Sequence, residues 1–287
     1  MSTTNSRLLV QAEHTAVRVA LWRALHTEID EKPLVFDDSI GAQIAGEDNW
    51  RERPDMNPDF CKPMRASTAG RARFIEDLIK DKFKDGIDQY VILGAGLDTF
   101  AQRNADLISK LNVFEIDEAG PQKWKEQRIK ELNLPYPKNL NFVPVDFESG
   151  ESWSEKLSQS HFDIKKPAII VSTGVSMYLS EEANKSLLSE TAKFQKGTVF
   201  AMTFMLALEL LEEKERELMK FVMRKATESG TPFLSLFKPD DIIKIAKDSG
   251  FSSTRYVSAK DLFEKYFSMR TDNLNAGNAE AFLVANI

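Results

Sequence analysis

Two glycines one residue apart directly follow a short apolar run in the segment QYVILGAGLDTFAQRN (89–104). Gly94 and Gly96 have no Cβ, so the chain can turn sharply here and its backbone can come close to a bound molecule. A strand followed by such a turn is the usual cradle for a ligand in a parallel α/β sheet. A glycine pair after a strand also occurs in ordinary tight turns, so neighbouring residues must decide between the two interpretations.

The next strand-like run ends in FEID, which places Glu115 and Asp117 about 20 residues beyond the glycines. A carboxylate at this strand end can accept hydrogen bonds from both vicinal hydroxyls of a ribose. The turn and the carboxylates together predict an adenosine-containing cofactor.

The residues of the turn distinguish between two such cofactors. A dinucleotide site needs GxGxxG, whose third glycine lets the helix pack closely while its N-terminus meets the pyrophosphate. Thr99 stands where that third glycine would be, and Asp98 precedes it. A carboxylate repels a pyrophosphate but suits a sulfonium cation or an amino group. The turn therefore favours S-adenosylmethionine, with a nicotinamide dinucleotide as the alternative.

Further polar and aromatic residues flank the strand-like runs. Asp146 can accept a hydrogen bond from an adenine amino group while Phe147 covers the ring, although Asp146 as a cap of the next helix fits equally well. Arg71 and Arg73, in AGRARFIEDLI, can pair with a cofactor carboxylate or lie on a solvated helix face.

The elements that must position these residues alternate between strand-like and helical patterns, as in EEANKSLLSETAKF, where Ser180 is the expected N-cap. This alternation predicts a doubly wound α/β fold with a mostly parallel sheet covered on both faces. The strand-like runs are YVILG (90–94), NVFEID (112–117), NLNFVPVDF (139–147), PAIIVST (167–173) and GTVFAMTF (197–204).

The flanking regions lie outside this alternation. Two apolar helical stripes, separated by the polar loop GEDNWRERPDMNPDFCKP, predict a helical N-terminal cap. After the fifth run we expect a charged helix over 205–229 ended by Gly230, a short helix between Pro239 and Gly250, and strands near 253–258 and 279–286. We expect a single domain, made of a cap and lid (1–88), a cofactor-binding core (89–204), and substrate-side helices with C-terminal strands (205–287).

The composition of the 287 residues is that of an ordinary globular protein, with 42% hydrophobic and 29% charged residues. The net charge of -6 argues against nucleic acid or an anionic membrane as the main partner. Cys61 is the only cysteine, and no HExxH or CxxC motif suggests a metal site. MSTTNSRLLVQAEH has no apolar core of signal-peptide length, so we expect a cytoplasmic protein.

Four motifs in their order and spacing resemble the leucine carboxyl methyltransferase-like family of S-adenosylmethionine-dependent methyltransferases: ILGAGLDTFAQR, VFEIDEAGPQKWKEQRI, FVPVDFE and VSTGVSMYLSEE. TAVRVALWRAL, LVFDDSIGAQIAG and RARFIEDLI are similar too, so the likeness covers residues 13 to about 205. It is strongest to the bacterial branch of O-methyltransferases and polyketide methylases. The resemblance implies a sheet of about seven strands whose last strand is antiparallel, with a helical lid over the active site.

The resemblance also implies roles for individual residues. Arg73 would hold the methionine carboxylate, the glycine turn would line the methionine moiety, Asp117 would bind the ribose, and Asp146 with Phe147 would bind adenine. The cofactor set expected from motif and resemblance together is Arg73, Gly94, Ala95, Gly96, Asp98, Glu115, Asp117, Asp146, Phe147 and Thr173.

Thr173 departs from the family, in which an acidic residue commonly stands at this place. A threonine offers a hydroxyl but no charge. A cofactor amino group here therefore needs another partner, either Asp98 or a backbone carbonyl.

The expected reaction is methyl transfer to a small-molecule carboxylate or hydroxyl. A carboxylate acceptor needs no general base, and the chain has no histidine after His161. Tyr178 is the candidate for a residue facing the reacting centre, with a core aromatic as the alternative role. Methylation of a protein C-terminal carboxylate, a nicotinamide-dependent oxidoreductase and a non-catalytic scaffold are the competing functions. Oligomeric state and acceptor identity are not legible from the sequence.

Overall fold

The computed structural model describes residues 14–147 and 150–287, and this part of the chain forms a 7-stranded sheet of order β3-β2-β1-β4-β5-β7-β6. Along the first part of this order, β3-β2-β1-β4-β5, each strand is parallel to its neighbours. β7 is antiparallel to both β5 and β6. The prediction of a doubly wound sheet with an antiparallel last strand is confirmed. The strands are β1 (Gln89–Leu93), β2 (Asn112–Asp117), β3 (Leu140–Pro144), β4 (Ile169–Ser172), β5 (Val199–Met205), β6 (Ser253–Val257) and β7 (Glu280–Asn286).

Helices cover both faces of the sheet. Alternate residues of each central strand point to opposite faces, so Val91 and Leu93 join one buried cluster while Tyr90 and Ile92 join the other. The α-helices are α1 (His14–Ile29), α2 (Gly41–Ala45), α3 (Lys62–Lys84), α4 (Phe100–Arg103), α5 (Ala105–Ile108), α6 (Ala119–Glu131), α7 (Trp153–Ser158), α8 (Glu181–Thr191), α9 (Glu213–Glu228), α10 (Pro239–Ser249) and α11 (Ala259–Leu262).

The N-terminal cap is built from α1, α2 and the first part of α3. The apolar stripe of α1 is buried at Val17, Ala20 and Leu21, as its helical spacing predicts. The loop between the stripes contains two short 3-10 turns, Trp50–Glu52 and Pro54–Met56. Residues 1–13 lie outside the described residues. They make up most of the segment MSTTNSRLLVQAEH.

The sequence boundaries shift at two strand ends. β3 stops at Pro144, so Asp146 and Phe147 follow the strand instead of ending it. The charged helix begins at Glu213, not near 205, because β5 continues to pair with β7 as far as Met205 opposite Glu280. Residues up to Met205 therefore belong to a strand, and the helix begins further along the chain.

Other local predictions are confirmed. Ser180 caps α8 by accepting a hydrogen bond from the Ala183 N–H at 3.1 Å. Pro239 opens α10 and Gly250, with φ +110°, ends it. The two strands expected in the tail are β6 and β7.

Candidate cofactor and methyl-transfer site

The glycine turn after β1 is tightly covered by the rest of the chain. Gly94 and Gly96 have φ of +70° and +48°, a region that side chains rarely occupy. A Cβ on Gly94 would lie 2.5 Å from Val175 Cγ2, and one on Gly96 would lie 3.0 Å from Ala16 Cβ in α1. Only glycine fits at these two positions, for conformational and steric reasons together.

The end of β2 holds the turn in place. The Gly94 N–H donates to the Ile116 carbonyl at 2.9 Å. The Gly96 N–H donates to Asp117 Oδ2 at 2.5 Å, so this carboxylate lies directly against the turn. The structure thus brings together Gly94, Ala95, Gly96 and Asp117, the four residues whose order first suggested a ribose-binding cradle.

Asp98 occupies the place where a dinucleotide would need free backbone donors. Its Oδ1 accepts a hydrogen bond from the Phe100 N–H at 2.8 Å, at the first residue of α4. A pyrophosphate at this helix start would meet a carboxylate instead of an unpaired N–H group. The turn therefore does not fit a nicotinamide dinucleotide.

A cavity of about 60 Å³ lies beside the turn, between α3 and the carboxyl ends of β1 and β4. Its wall is unusually rich in charged groups for a mostly buried space. Asp98 and Thr173 both line it. The charged side chains in the wall are Arg23, Arg71, Arg103, Glu76 and Asp98.

A buried ionic network ties the cap to this cavity. Arg23 in α1 donates to Asp38 Oδ2 at 2.7 Å and to the Leu97 carbonyl at 2.7 Å, which anchors α1 to the glycine turn. Arg103 donates to Glu76 Oε1 in α3 at 2.5 Å and lies 3.8 Å from Asp38. The cap, the turn and α3 are therefore one hydrogen-bonded unit.

The charges of this network stabilise one another. Burial by itself would raise the pKa of Asp38, but the charges of Arg23 and Arg103 hold that pKa below its usual value. Burial would lower the pKa of Arg103, whereas Glu76 and Asp38 raise it above the ordinary value. Both groups stay ionised, and the loss of any one partner would leave a buried charge uncompensated.

The comparisons with known proteins agree with this geometry. The sequence profile of the leucine carboxyl methyltransferase family matches residues 16–192, more than half of the chain. A provisionally named S-adenosyl-L-methionine-dependent methyltransferase of Mycobacterium ulcerans (strain Agy99) is 32% identical over 74% of this chain and 71% of its own length. The chain belongs to the leucine carboxyl methyltransferase family. It is an S-adenosylmethionine-dependent methyltransferase, and S-adenosylmethionine is its cofactor.

Relatives and solved structures extend over nearly the whole length of this methyltransferase. YktD of Bacillus subtilis (strain 168), also provisionally named an S-adenosyl-L-methionine-dependent methyltransferase, is 29% identical over 91% of this chain and 93% of its own. A provisionally named methyltransferase of Thermobifida fusca YX superimposes with a TM-score of 0.61 at 15% identity, covering 99% of both chains. A DUF574 family protein of Streptomyces avermitilis MA-4680 gives 0.57 at 15% identity, over 96% and 97%. At such identity the two structures show the shared fold alone.

The residues of this methyltransferase fit the cofactor at the glycine turn. The turn is a cradle that a Cβ would fill, and the carboxylate of Asp117, a group able to accept hydrogen bonds from hydroxyls, lies against it. Gly94 to Gly96 and Asp117 are in place without rearrangement of the strands. A dinucleotide-dependent oxidoreductase is excluded by the family.

The two candidate arginines of α3 lie on opposite sides of the helix. Arg71 is 14% exposed, lines the charged cavity and donates to Glu280 Oε1 at 2.8 Å. Arg73 is 44% exposed and donates to Asp77 Oδ1 at 2.9 Å, one turn further along the helix. The structure does not bring Arg73 to the other predicted site residues. Arg71, which the sequence offers as the alternative, is the arginine at the cavity.

Glu115 is also separated from the cofactor turn. It is fully buried against α6, where Lys125 Nζ lies 2.5 Å from its Oε2. Burial raises the pKa of Glu115 to about 7, although the charge of Lys125 opposes that rise. Asp117, two residues later, is thus the only carboxylate of the FEID motif that the described structure places against the turn.

Asp146 and Phe147 lie at the opposite end of the site from Arg71. They follow β3, both are exposed, and Phe147 is 38% accessible to solvent. Val145, just before them, donates its N–H to the Asp117 carbonyl at 2.9 Å, so this segment starts next to Asp117. Residues 148 and 149 lie outside the described residues.

Thr173 and Tyr178 follow β4. Thr173 lines the charged cavity, and the next residue, Gly174, donates its N–H to Thr203 Oγ1 at 2.8 Å. Tyr178 ends the 3-10 turn Ser176–Tyr178 and packs edge-on against Phe233, with 5.5 Å between ring centroids. Tyr178 is therefore part of an aromatic pair with Phe233 and does not line the charged cavity.

Several residues of the site escaped sequence reasoning. Arg23, Asp38 and Glu76 come from three separate segments, and no motif spacing connects them. Val175 is inside a recognised motif, but its proximity to Gly94 depends on how β4 lies beside β1.

In residues 14–147 and 150–287 no cluster of His, Cys, Asp and Glu is placed to hold a metal ion. Across those same residues, no helix has the length and apolar character needed to cross a bilayer.

Proposed function

We propose that this methyltransferase transfers a methyl group to an oxygen of a small molecule, a carboxylate or a hydroxyl. The covering of the glycine turn by the cap is the main support. Ala16 lies against Gly96, and Arg23 bonds to the Leu97 carbonyl, so the cap leaves little room beside the turn. Such a covered site favours a small acceptor over an extended polypeptide.

The proposed cofactor contacts divide along the site. Arg71 holds the methionine carboxylate through a charge-assisted hydrogen bond, and the backbone of Gly94 to Gly96 lies along the methionine moiety. Asp117 accepts hydrogen bonds from the ribose hydroxyls, and Asp146 and Phe147 bind adenine. Asp98 and Thr173 face the amino group from the charged cavity. Compared with the expectation from resemblance, Arg71 replaces Arg73, and Glu115 takes no part.

The protein's contribution to the reaction is alignment and exclusion of water. When bound, S-adenosylmethionine would supply a methyl group activated by its sulfonium sulfur, so that an acceptor oxygen bonds to the methyl carbon while the C–S bond breaks and neutral S-adenosylhomocysteine leaves. The cap and the glycine turn fix the end of the site where the acceptor must line up. Water that reached this end would compete with the acceptor, and α1 covers the turn against it.

A carboxylate is the acceptor that requires the least acid–base chemistry from the protein. Tyr178 and Phe233 form an apolar wall, and the segment that carries Phe233 is fixed by the Leu234 N–H, which donates to the Met177 carbonyl at 2.7 Å. A carboxylate acceptor is already ionised at pH 7, so no protein group has to take up a proton. The segment 205–287 would supply the remaining contacts that select the acceptor.

Calorimetric titration with S-adenosylhomocysteine and S-adenosylmethionine is the first test. We expect micromolar binding by the wild type and by Arg73→Met, whose side chain lies outside the cavity. Asp117→Asn should bind about 10- to 100-fold more weakly, because charge-assisted hydrogen bonds to the ribose contribute about 1.5–3 kcal/mol each. Wild-type affinity in a folded Asp117→Asn variant would refute the ribose assignment.

The acceptor is tested with cofactor that carries a labelled methyl group. Panels of small carboxylic acids, phenols and alcohols are compared with peptides that end in a free carboxylate. A product that releases methanol in mild alkali is a methyl ester, whereas an ether product is stable, so this step separates carboxylate from hydroxyl acceptors. Methylation of peptides with no reaction of any small molecule would contradict the proposal in favour of the protein carboxyl methyltransferase alternative.

A further inference from the structure

Arg71 lines two cavities, the charged one beside the glycine turn and a smaller one. Its ion-pair partner, Glu280, lines the smaller cavity. The guanidinium lines both the charged cavity and a second one of about 10 Å³. Glu280 is in the wall of the smaller cavity, where its Oε1 accepts the hydrogen bond from Arg71 Nη1 at 2.8 Å. The side chains are 14% and 16% exposed, so the pair is largely shielded from water.

Glu280 is fixed by the sheet and not by a loop. It is the first residue of β7 and stands opposite Met205 of β5 in the antiparallel register. Arg71 comes from the middle of α3, 209 residues earlier. The contact therefore joins the N-terminal cap to the C-terminal strand across the edge of the cofactor site.

Gly174 lies close to the same guanidinium. A Cβ on Gly174 would lie 3.3 Å from Arg71 Nη1 and 3.5 Å from its Nη2, so a larger residue here would crowd the arginine just after Thr173. Gly174 has φ +72°, and the hydrogen bond to Thr203 holds it there. Glu280 and Gly174 together leave Arg71 little freedom.

We propose that Glu280 is a positioning residue, which orders Arg71 for the carboxylate of the methionine moiety. The proposal rests on the assignment of Arg71 under the proposed function. A free arginine side chain has many rotamers, and a ligand that binds it must overcome the loss of this conformational entropy. Glu280 restrains Arg71 in advance through Nη1, and the guanidinium has further N–H donors for a second anion. Glu280 lies outside residues 16–192, so the C-terminal strand takes part in cofactor binding beyond the region that defines the family.

The test compares two ligands that share the thioether and the adenosine but differ in the amino-acid group, which contains the carboxylate assigned to Arg71. S-adenosylhomocysteine carries the amino-acid carboxylate, and 5′-methylthioadenosine lacks it. In Glu280→Gln, we expect about 5- to 10-fold weaker binding of S-adenosylhomocysteine and a change of less than twofold for 5′-methylthioadenosine. Glu131→Gln, which alters an exposed glutamate paired with Arg128, is the matched control and should change neither affinity.

A double-mutant cycle shows whether the effect passes through Arg71. Glu280→Gln in an Arg71→Met background should cause no additional loss of S-adenosylhomocysteine affinity. Glu280→Asp keeps the charge and should recover part of the affinity, which serves as a second variant if Glu280→Gln unfolds. The KM for S-adenosylmethionine should rise in Glu280→Gln with kcat changed less than twofold.

The outcomes separate this inference from the proposed function. Wild-type S-adenosylhomocysteine affinity in folded Glu280→Gln would overturn the positioning role and leave the function intact. Equal weakening of both ligands would overturn it too, since a general structural defect does not depend on the carboxylate. If Arg71→Met itself had normal affinity, the Arg71 assignment and the role of Glu280 would both be wrong.

Discussion

The two ends of the proposed cofactor site are built differently. At the proposed methionine end, Arg71 lies in a cavity with four other charged side chains, of which Arg23, Arg103 and Glu76 belong to the buried network between α1, α3 and the glycine turn. At the adenine end, Asp146 and Phe147 are exposed and follow a strand that has already stopped. One end is enclosed before the cofactor binds, and the other faces solvent.

This contrast says where affinity and specificity should reside. Charged groups that are ordered and shielded from water lose little on binding and interact strongly with a charged ligand. An exposed aromatic ring contributes stacking, but competes with solvent for the ligand. We therefore expect substitutions at the enclosed end to weaken cofactor binding more than those at the exposed end.

The largest effect should come from Gly94→Ala. The new Cβ would meet Val175 at 2.5 Å in a left-handed backbone conformation, so strain and overpacking add. We expect a loss of about 2–4 kcal/mol in unfolding free energy, measured by urea denaturation, and no detectable cofactor binding. Gly86→Ala is the control, because Gly86 has φ +92° but no atom within 4 Å of the added Cβ. If both variants lost the same stability, steric closure of the turn would not be the cause.

The next largest effect distinguishes the two arginines. Arg71→Met should weaken S-adenosylhomocysteine binding about 10- to 100-fold, since a charge-assisted hydrogen bond contributes about 1.5–3 kcal/mol. Arg73→Met removes an exposed side chain paired with Asp77 and should change the affinity less than twofold. Calorimetric titration of both variants measures the difference. If Arg73→Met bound S-adenosylhomocysteine more weakly than Arg71→Met, Arg73 would be the arginine that binds the cofactor.

A smaller effect is expected at the exposed end. Phe147→Ala should weaken S-adenosylhomocysteine binding about 3- to 10-fold, near the lower limit of the roughly 1–3 kcal/mol observed for base–aromatic stacking. Adenosine, which retains the base but not the methionine moiety, should lose affinity by the same factor. An effect as large as that of Arg71→Met would remove the contrast between the two ends.

The smallest effect on cofactor binding should come from the buried pair Glu115–Lys125, which lies outside both ends of the proposed site. Its substitution should change the pH dependence of stability instead. With a pKa of about 7 in the folded protein, Glu115 binds a proton more tightly than in the unfolded chain, so its contribution to stability falls as pH rises from about 5 to 7. Replacing the pair by Glu115→Gln with Lys125→Met should remove this component. Urea denaturation from pH 5 to 8 measures it, and Glu155→Gln on the surface of α7 serves as control. An unchanged pH profile in the double variant would show that Glu115 does not titrate in this range.

The sequence predicts the parts of the site that depend on local pattern. The turn at Gly94 and Gly96 and the carboxylate of Asp117 follow from strand–turn–strand order, and the structure places them together. Helical periodicity is sufficient to decide which of Arg71 and Arg73 lies on the buried side of α3. Residues two apart on a helix point about 200° away from each other, and Ile75 and Ile79, which lie on the side of Arg71, are buried.

Other features could not come from local pattern. Asp38 meets Arg23 and Arg103 only because three segments converge, and sequence spacing contains no trace of that meeting. Glu115 has a strand-end position that suits a ribose ligand, yet it is buried beneath α6, where Lys125 makes it part of an ion pair. The delay of α9 depends on how far β7 extends its pairing with β5.

The position of β7 between β5 and β6 imposes an order on folding during synthesis. β6 is made before β7, but among the described strands β7 alone pairs with it, so β6 cannot join the sheet until residues 280–286 have left the ribosome. Arg71 is translated 209 residues before Glu280, so its ion-pair partner is missing for most of synthesis. The nascent chain can therefore assemble its glycine turn early, but the arginine beside it is held in place only when translation has reached the final strand.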